Sequence, residues 1–301
     1  MTLKKILTLI SLLLLNAVKT KAQQANFSYN QYADNLTPLN PAYSVMDKAG
    51  FVNVLGRKQF VGISGAPQTL LFSGSIPIKS FNSSAGLIVL NDQFAVEHLT
   101  EINGFFAKSI QLTNESYLAV SLNFGVRNYV ANYSSLDYND PQFKNDVRQT
   151  TPNLGFGVMY YGANYYIGVS LPELTLQGLG DASVQRSNYL KDHYYFAAGY
   201  LADLSPDVKF KPAMLVSYSK GTTTVANFSG TFFLKEQLGL GFNYNTSKQL
   251  AGILSVNTSS FKIGYSYAFS TSGNNLGGFN NTTNELSLSY RFGGDLKSKL
   301  L

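Results

Sequence analysis

The sequence contains no cysteine, no tryptophan and only two histidines among its 301 residues. Without thiols, the chain can form no disulfide and cannot use cysteine for catalysis or metal binding. Charged residues are also scarce at 13%, whereas soluble domains average about 25%. After residue 22, no apolar run reaches the roughly 18 residues that a transmembrane helix requires. These absences exclude a helical membrane protein and leave few options for an enzyme.

The first residues have the pattern of a secretory signal peptide. Lys4 and Lys5 precede an apolar run over 6–18, and a plausible cleavage site lies before Gln23. The run is too short for a stable membrane span, and an N-terminal anchor helix is the alternative. Removing residues 1–22 takes four lysines away and lowers the formal net charge from +6 to about +2, so the basic charge does not indicate nucleic-acid binding.

The mature chain is rich in phenylalanine, tyrosine and glycine, arranged in alternating segments. In YLAVSLNFGVR, residues 117–127, every second residue from Leu118 to Val126 is apolar, and the others are small or polar. Successive strand side chains point to opposite faces, so this segment has one apolar face. Similar segments run about ten residues, and their other face is mostly Gly, Ser, Asn and Ala. A water-soluble sandwich is the alternative, but its wet face would carry more charge, so the pattern favours lipid.

The segments predict an all-β fold, a transmembrane outer-membrane β-barrel of about 14 antiparallel strands in a single domain. The predicted strands are 49–58, 69–78, 84–91, 99–109, 116–128, 153–161, 164–172, 192–203, 207–218, 223–234, 237–246, 249–257, 260–269 and 283–293. The links after even-numbered strands are short, and the long links 59–68, 129–152, 173–191 and 270–282 follow odd-numbered strands. With both chain ends in the periplasm, the long loops face the cell surface.

The predicted organisation has four parts. Residues 1–22 are the signal peptide, 23–48 a periplasmic N-terminal segment, 49–293 the barrel and 294–301 a C-terminal tail. Residues 23–48 are too polar to span the membrane, and they lie either in the periplasm or in the lumen. A barrel of this size can be open or plugged.

The sequence offers little catalytic or metal-binding chemistry. His98 and His193 are expected to be surface or rim residues in polar surroundings. The alternative is that one of them belongs to the Ser–His pair of a hydrolase. Three acidic residues share one long loop, where a calcium site is the alternative to a solvated loop: Asp137, Asp140 and Asp146. We therefore expect no enzyme activity, cofactor or metal.

Three basic residues occupy the polar faces of predicted strands and should point into the lumen. They are Arg127, Lys262 and Arg291. A charge inside a barrel wall requires a partner, so we expect paired interior charges, with ion selectivity as the alternative.

Several short motifs occur together in a fixed order. They are Asn40-Pro41-Ala42-Tyr43, Arg57, Gln59-Phe60-Val61-Gly62, Gly65-Ala66-Pro67, Thr69, Asn91-Asp92, Asp140-Pro141-Gln142-Phe143 and Gly264-Tyr265-Ser266-Tyr267. Together they resemble the PorP/SprF family of Bacteroidota outer-membrane proteins, associated with type IX secretion and gliding, over essentially the whole mature chain. The family often has Trp, Asp and His where this chain has Phe60, Ala268 and Asn284, which suggests a divergent paralogue.

The resemblance implies a non-enzymatic outer-membrane barrel that binds and helps to export or anchor a secreted surface protein. The partner would be an adhesin-type protein with a C-terminal sorting domain, and periplasmic secretion or gliding components are further candidates. The alternative function is a passive or substrate-specific pore.

Loop parity puts the motif residues at the surface end, where they would bind a partner or shape loops. They are Arg57, Gln59, Gly65, Pro67, Asn91, Asp92, Asp140 and Pro141. Gly65 and Pro67 would fix a tight loop. Arg57 and Asp92 would form a charge-assisted pair that holds two loops together.

Overall fold

The computed structural model describes residues 27–136, 145–175, 192–271, 282–293 and 300–301. The strands in these residues are β1 (Gly50–Gln59), β2 (Gln68–Ile78), β3 (Ser83–Phe94), β4 (Glu97–Gln111), β5 (Tyr117–Ala131), β6 (Val147–Tyr161), β7 (Tyr165–Thr175), β8 (His193–Tyr200), β9 (Ala202–Ser205), β10 (Val208–Ser219), β11 (Val225–Leu234), β12 (Leu238–Asn245), β13 (Gln249–Asn257), β14 (Phe261–Ser270) and β15 (Thr282–Phe292). Short 3-10 helices cover Pro41–Met46, Lys79–Phe81 and Tyr133–Ser135. No helix in this part of the chain is long and apolar enough to cross a membrane.

The strands form one closed antiparallel barrel. Apart from β8 and β9, consecutive strands pair with each other, β1 pairs with β15, and β10 pairs with both β8 and β11. The short β9 also pairs with β10 and follows β8 after Leu201 alone, so β8 and β9 are two parts of one barrel strand. The predicted fourteen-strand barrel is confirmed. Closure gives every strand two hydrogen-bonded neighbours, as a sheet in lipid requires.

The apolar face of each strand points outward. In β5, Leu122 and Phe124 are 49% and 61% exposed, whereas Ala119 and Asn123, on the opposite face of the same strand, are buried. Outward aromatic residues lie near both ends of the barrel: Tyr194, Tyr218, Tyr244 and Tyr267 near one end, and Tyr160, Tyr200, Phe261 and Tyr290 near the other. This is the arrangement of an apolar band between two aromatic girdles.

The two ends of the barrel differ in their connections. The end that we call the long-loop end has the links 60–67, 132–146, 176–192 and 271–281. The opposite, short-turn end has the links 79–82, 112–116, 162–164, 206–207, 235–237 and 258–260. In outer-membrane barrels, long loops face the cell surface and short turns face the periplasm.

Residues 27–48, named here the plug, run through the lumen from the long-loop end to the short-turn end. The Tyr195 hydroxyl donates to the carbonyl of Phe27 at 2.9 Å near the long-loop end. Further along the chain, Asn35 donates to the side chains of Asn53 and Ser73 at 3.1 and 2.8 Å. The plug thus belongs to the interior of the barrel.

The periplasmic location expected for residues 23–48 is therefore wrong for the described residues 27–48, which take the alternative location in the lumen. The physical reason is that their side chains are buried against the inner wall of the barrel. Tyr32, Leu36 and Leu39 are almost fully buried, and Ser229 donates to the Tyr32 hydroxyl at 3.1 Å. Burial also raises the pKa of the Tyr43 phenol, which keeps it protonated.

The Asn40-Pro41 motif explains how the plug turns in the lumen. The Asn40 side-chain oxygen accepts from the backbone N–H of Ala42 at 3.1 Å and caps the helix Pro41–Met46, with proline in the first turn. The Asn40 amide nitrogen reaches the carbonyls of Val158 and Val169 on the wall at 3.2 and 3.3 Å. The motif therefore joins a helix start to two barrel strands.

Two ion pairs hold the plug near the short-turn end of the barrel. Lys262 lies 2.6 Å from Asp34, and Arg291 reaches both oxygens of Asp47 at 2.8 and 3.0 Å. Lys211, deeper in the lumen, donates to the carbonyl of Ala33 at 2.6 Å. The paired interior charges expected for Lys262 and Arg291 are present, and their partners come from the plug.

Candidate functional site

The upper lumen, below the long-loop end, contains a buried arginine between two carboxylates. Arg127 is 1% exposed, and its Nε donates to Glu101 at 3.1 Å while its Nη2 donates to Glu173. Asn153 also donates to Glu101, at 2.8 Å. Arg127 is therefore a paired interior charge, as its position on the polar face of β5 predicted. The cluster ties β4, β5, β6 and β7 together below the loops.

The surface or rim location expected for both histidines is wrong for His193. His193 is buried, and its Nδ1 lies 3.7 Å from Glu173, inside the lumen rather than at the surface. The reason is its position as the first residue of β8, on the inward face. His98, by contrast, is partly exposed next to the end of β3.

A second charged cluster joins the plug to the seam between the first and last strands. The Glu285 carboxylate accepts the backbone N–H of Asn30 at 2.9 and 3.0 Å and the Ser266 hydroxyl at 3.0 Å. Arg57 Nε lies 3.5 Å from the same carboxylate. Because Glu285 has no exposed side-chain area, these donors must compensate for its lost hydration.

The expected pair of Arg57 and Asp92 differs from the contacts observed. Arg57 pairs with Glu285, whereas Asp92 accepts a hydrogen bond from Thr69 at 2.5 Å. Arg57, Thr69 and Asp92 are register partners on three successive strands, so Thr69 lies between the two charges. Glu285 is the register partner of Arg57 on the adjacent strand β15, one strand spacing of about 4.8 Å away, whereas Asp92 lies two strand spacings away.

The β1–β2 loop has a defined backbone shape. Gly65 has a φ of +73°, and its carbonyl accepts from the N–H of Ala95 in the β3–β4 turn at 2.8 Å. A Cβ at Gly65 would lie 3.3 Å from the Ala95 Cα. Gln59 donates its N–H to the carbonyl of Pro67 at 3.0 Å, which closes the base of the loop. Two neighbouring loops are thus joined through their backbones.

The remaining site residues divide between the outer wall and the undescribed loop. Asn91 faces outward and donates to Thr100 at 3.0 Å. Asp140 and Pro141 lie outside the described residues. Asp146, from the same loop, accepts the Ser134 N–H at 3.0 Å, and this hydrogen bond lowers its pKa. The calcium site that would combine Asp146 with Asp137 and Asp140 stays a hypothesis, and the described residues contain no group of three metal-ligating side chains.

Sequence reasoning missed the carboxylates that organise the lumen. Glu101, Glu173 and Glu285 each lie on the inward face of a strand, two of them beside a basic residue in the register of the next strand. A search for opposite charges on inward faces of paired strands could have found Glu101 with Arg127 and Glu285 with Arg57. Glu173 lies two strands from Arg127, which no pairwise search would recover.

Three large apolar side chains are exposed at the long-loop end of the barrel. Val61 is 53% exposed in the β1–β2 loop, Phe94 45% at the end of β3, and Leu136 54% after β5. Because the backbones of the first two loops are joined through Gly65, Val61 and Phe94 are carried on one connected unit. We name these three residues the loop patch.

Comparisons with known proteins agree with the barrel and identify a family. The sequence pattern of the family described as "Type IX secretion system membrane protein PorP/SprF" matches residues 21–290. No curated protein sequence matches the chain.

Solved structures with a similar barrel include two hydrocarbon channels. The deltaS2S3 mutant of the monoaromatic hydrocarbon channel TodX has a TM-score of 0.52 at 11% identity, over 88% of this chain and 94% of that chain. The monoaromatic hydrocarbon channel CymD has a TM-score of 0.51 at 12% identity, over 91% and 95%. At such low identity, the likeness shows the fold alone.

Proposed function

The chain belongs to the PorP/SprF family of type IX secretion system membrane proteins, and from this membership we propose that it holds a secreted surface protein at its long-loop end. The barrel lies in the outer membrane, where that end faces the cell surface. The partner is an adhesin-type protein with a C-terminal sorting domain, which the barrel helps to export or anchor without catalysis.

The loop patch is the observation that carries the proposal. Val61 and Leu136 lie on loops and Phe94 lies at the last position of β3, all at the long-loop end, where apolar side chains have neither a core nor lipid to enter. Exposed apolar side chains at one end of a molecule offer a surface for interaction with a partner. The hydrogen bond between Gly65 and Ala95 orders two of the three loops before a partner arrives, which lowers the entropy cost of binding.

The filled lumen favours this role over an open pore. The plug and its contacts with the wall occupy the path between the two ends. A pore function would require the plug to leave or to move, whereas a binding function needs only the loops. Arg57 and Asp92 bond within the barrel, so we assign them to loop shaping rather than to direct contact.

The test removes the loop patch and leaves the barrel intact. We would combine Val61→Ser, Phe94→Ser and Leu136→Ser, and confirm insertion by the different gel mobility of unboiled and boiled samples. The matched control removes three equally exposed apolar residues near the short-turn end: Phe81→Ser, Leu112→Ser and Leu204→Ser. We expect the first variant, and not the control, to lose the co-purifying secreted protein and its display on the cell surface.

Two results would contradict the proposal. The first is normal surface display in a complete deletion of this protein, with no paralogue taking its place. The second is full retention of the partner by the loop-patch variant together with steady conductance of the purified barrel, which would favour the pore.

A further inference from the structure

A groove lies on the outer wall of the barrel where β15, β1 and β2 meet. Gly56 faces outward there, with Leu70 and Leu286 as its register partners on the two neighbouring strands. A Cβ built on Gly56 meets no atom within 4 Å, and the two leucines are more than half exposed. The groove is open on one side and has a volume of about 400 Å³, with the two leucines, Gly56 and Lys58 among its lining residues.

The two ends of the groove differ in chemistry. Towards the middle of the membrane, Val54 continues the outward face of β1 between Phe72 and Leu288. Towards the long-loop end, the next outward residue is Lys58, whose register partners are Gln68 and Asn284. The groove is therefore apolar at one end and cationic at the other.

The polar end of the groove is fixed in shape and holds a cation without a counterion. The Tyr265 hydroxyl donates to Asn284 at 2.6 Å, which orients the amide beside Lys58. Lys58 is exposed and forms neither an ion pair nor a hydrogen bond with any described residue. Asn91 and Gln93 extend the polar edge along β3. An anionic group would find one ammonium and several amide donors here.

We propose that this groove binds a phosphorylated lipid of the outer leaflet, with one acyl chain over Gly56 and a phosphate at Lys58. We choose a lipid as the ligand because of where the groove lies. The groove opens on the lipid-facing wall, so its occupant arrives from the bilayer, and its cationic end lies on the side of the long loops, where the lipid headgroups of the outer leaflet are. Gly56 and Lys58 are two residues apart on β1, which is a rise of about 6.6 Å. The Lys58 ammonium therefore lies on the headgroup side of an acyl chain that covers Gly56.

The test measures lipid binding by the full mature chain in detergent, using native mass spectrometry. The probes are diphosphoryl lipid A, its enzymatically dephosphorylated form, and inorganic phosphate alone. Gly56→Leu fills the groove, and Lys58→Gln removes the charge. The matched controls are Gly252→Leu, at another outward glycine with nothing within 4 Å of an added Cβ, and Arg148→Gln, at another exposed cation near the long-loop end.

We expect the wild-type barrel to retain one lipid A. Lys58→Gln should weaken binding by about tenfold, the usual effect of losing one charge-assisted contact. Gly56→Leu should also weaken binding, because the leucine side chain occupies the space of the acyl chain. The controls should bind as the wild type does. Dephosphorylated lipid should bind the wild type and Lys58→Gln equally.

Several outcomes would overturn the assignment. They are equal binding of both lipid forms to the wild type, an equal loss in Gly252→Leu, no retained lipid at all, or full competition by inorganic phosphate, which would show an adventitious anion only. Release of the secreted partner by Gly56→Leu with lipid binding unchanged would make the groove a protein contact instead.

Discussion

At the scale of the residue, Arg127 shows how the lumen wall depends on charge balance. Its guanidinium lies between Glu101 and Glu173 and is almost fully buried. Arg127→Met leaves two buried carboxylates without their cation, and breaking a buried pair in this way costs about 3–5 kcal/mol. We expect that loss in urea unfolding of the reconstituted barrel. The triple variant Glu101→Gln, Arg127→Met, Glu173→Gln should recover most of it, and failure to recover would mean that the cluster acts through packing.

A residue on the outer wall tests the inside–outside assignment. Leu288 is 49% exposed on the lipid face of β15, near the middle of the strand, so Leu288→Arg should destabilise the barrel by about 2–4 kcal/mol. Asn284→Arg, on the same face near the long-loop end, should cost about 0–1 kcal/mol. The two unfolding free energies, measured in the same liposomes, check the depth. Equal costs would place β15 differently in the membrane.

Ser287→Arg, an inward-facing substitution on the same strand, is unsuitable as a control for Leu288→Arg. Ser287 faces the lumen, where an arginine would be mild in an open pore. Its hydroxyl instead donates to Gln31 of the plug at 2.7 Å, so a larger side chain would displace the plug.

At the scale of the element, the β1–β2 loop is fixed by one glycine. Gly65 combines a φ of +73° with a close approach to Ala95, so Gly65→Val meets both backbone strain and a steric clash. We expect the loop to detach from the β3–β4 turn at a cost of about 1–3 kcal/mol. Hydrogen exchange of the Ala95 amide should accelerate accordingly. The control is Gly56→Ala, which adds a methyl group in open space, and acceleration there as well would point to a global effect.

At the scale of the whole molecule, the plug decides whether the barrel conducts. Deleting residues 27–46 removes the side chains that fill the lumen but keeps Asp47 and the start of β1. We expect the wild-type protein to show no steady conductance in a planar bilayer and the deletion to conduct ions.

Because the deletion could misfold, a second variant keeps the chain length. Tyr32→Ser, Leu36→Ser and Leu39→Ser remove buried apolar contacts of the plug and should produce intermittent conductance. Both variants should keep different gel mobilities before and after boiling. Steady conductance of the wild type would show that the plug does not seal the lumen.

The sequence by itself determined the barrel, because strand alternation is a local property. An apolar residue at every second position gives a strand one apolar face, whichever strand it pairs with. Counting these segments predicted fourteen strands, and the parity of the connections agreed with that count. The same reasoning placed Arg127, Lys262 and Arg291 inside, and it identified Gly65 and Pro67 as loop residues.

Only the tertiary structure decided which partners meet. Closure of β1 on β15 brings Arg57 to Glu285, 228 positions away in the chain, while Asp92 accepts a hydrogen bond from Thr69 on the intervening β2. The plug was equally hidden, because residues 27–48 have no periodic pattern and are stabilised by contacts scattered around the whole wall, from Ser73 to Glu285. Such contacts depend on the register and circumference of the closed barrel, which no local stretch of sequence contains.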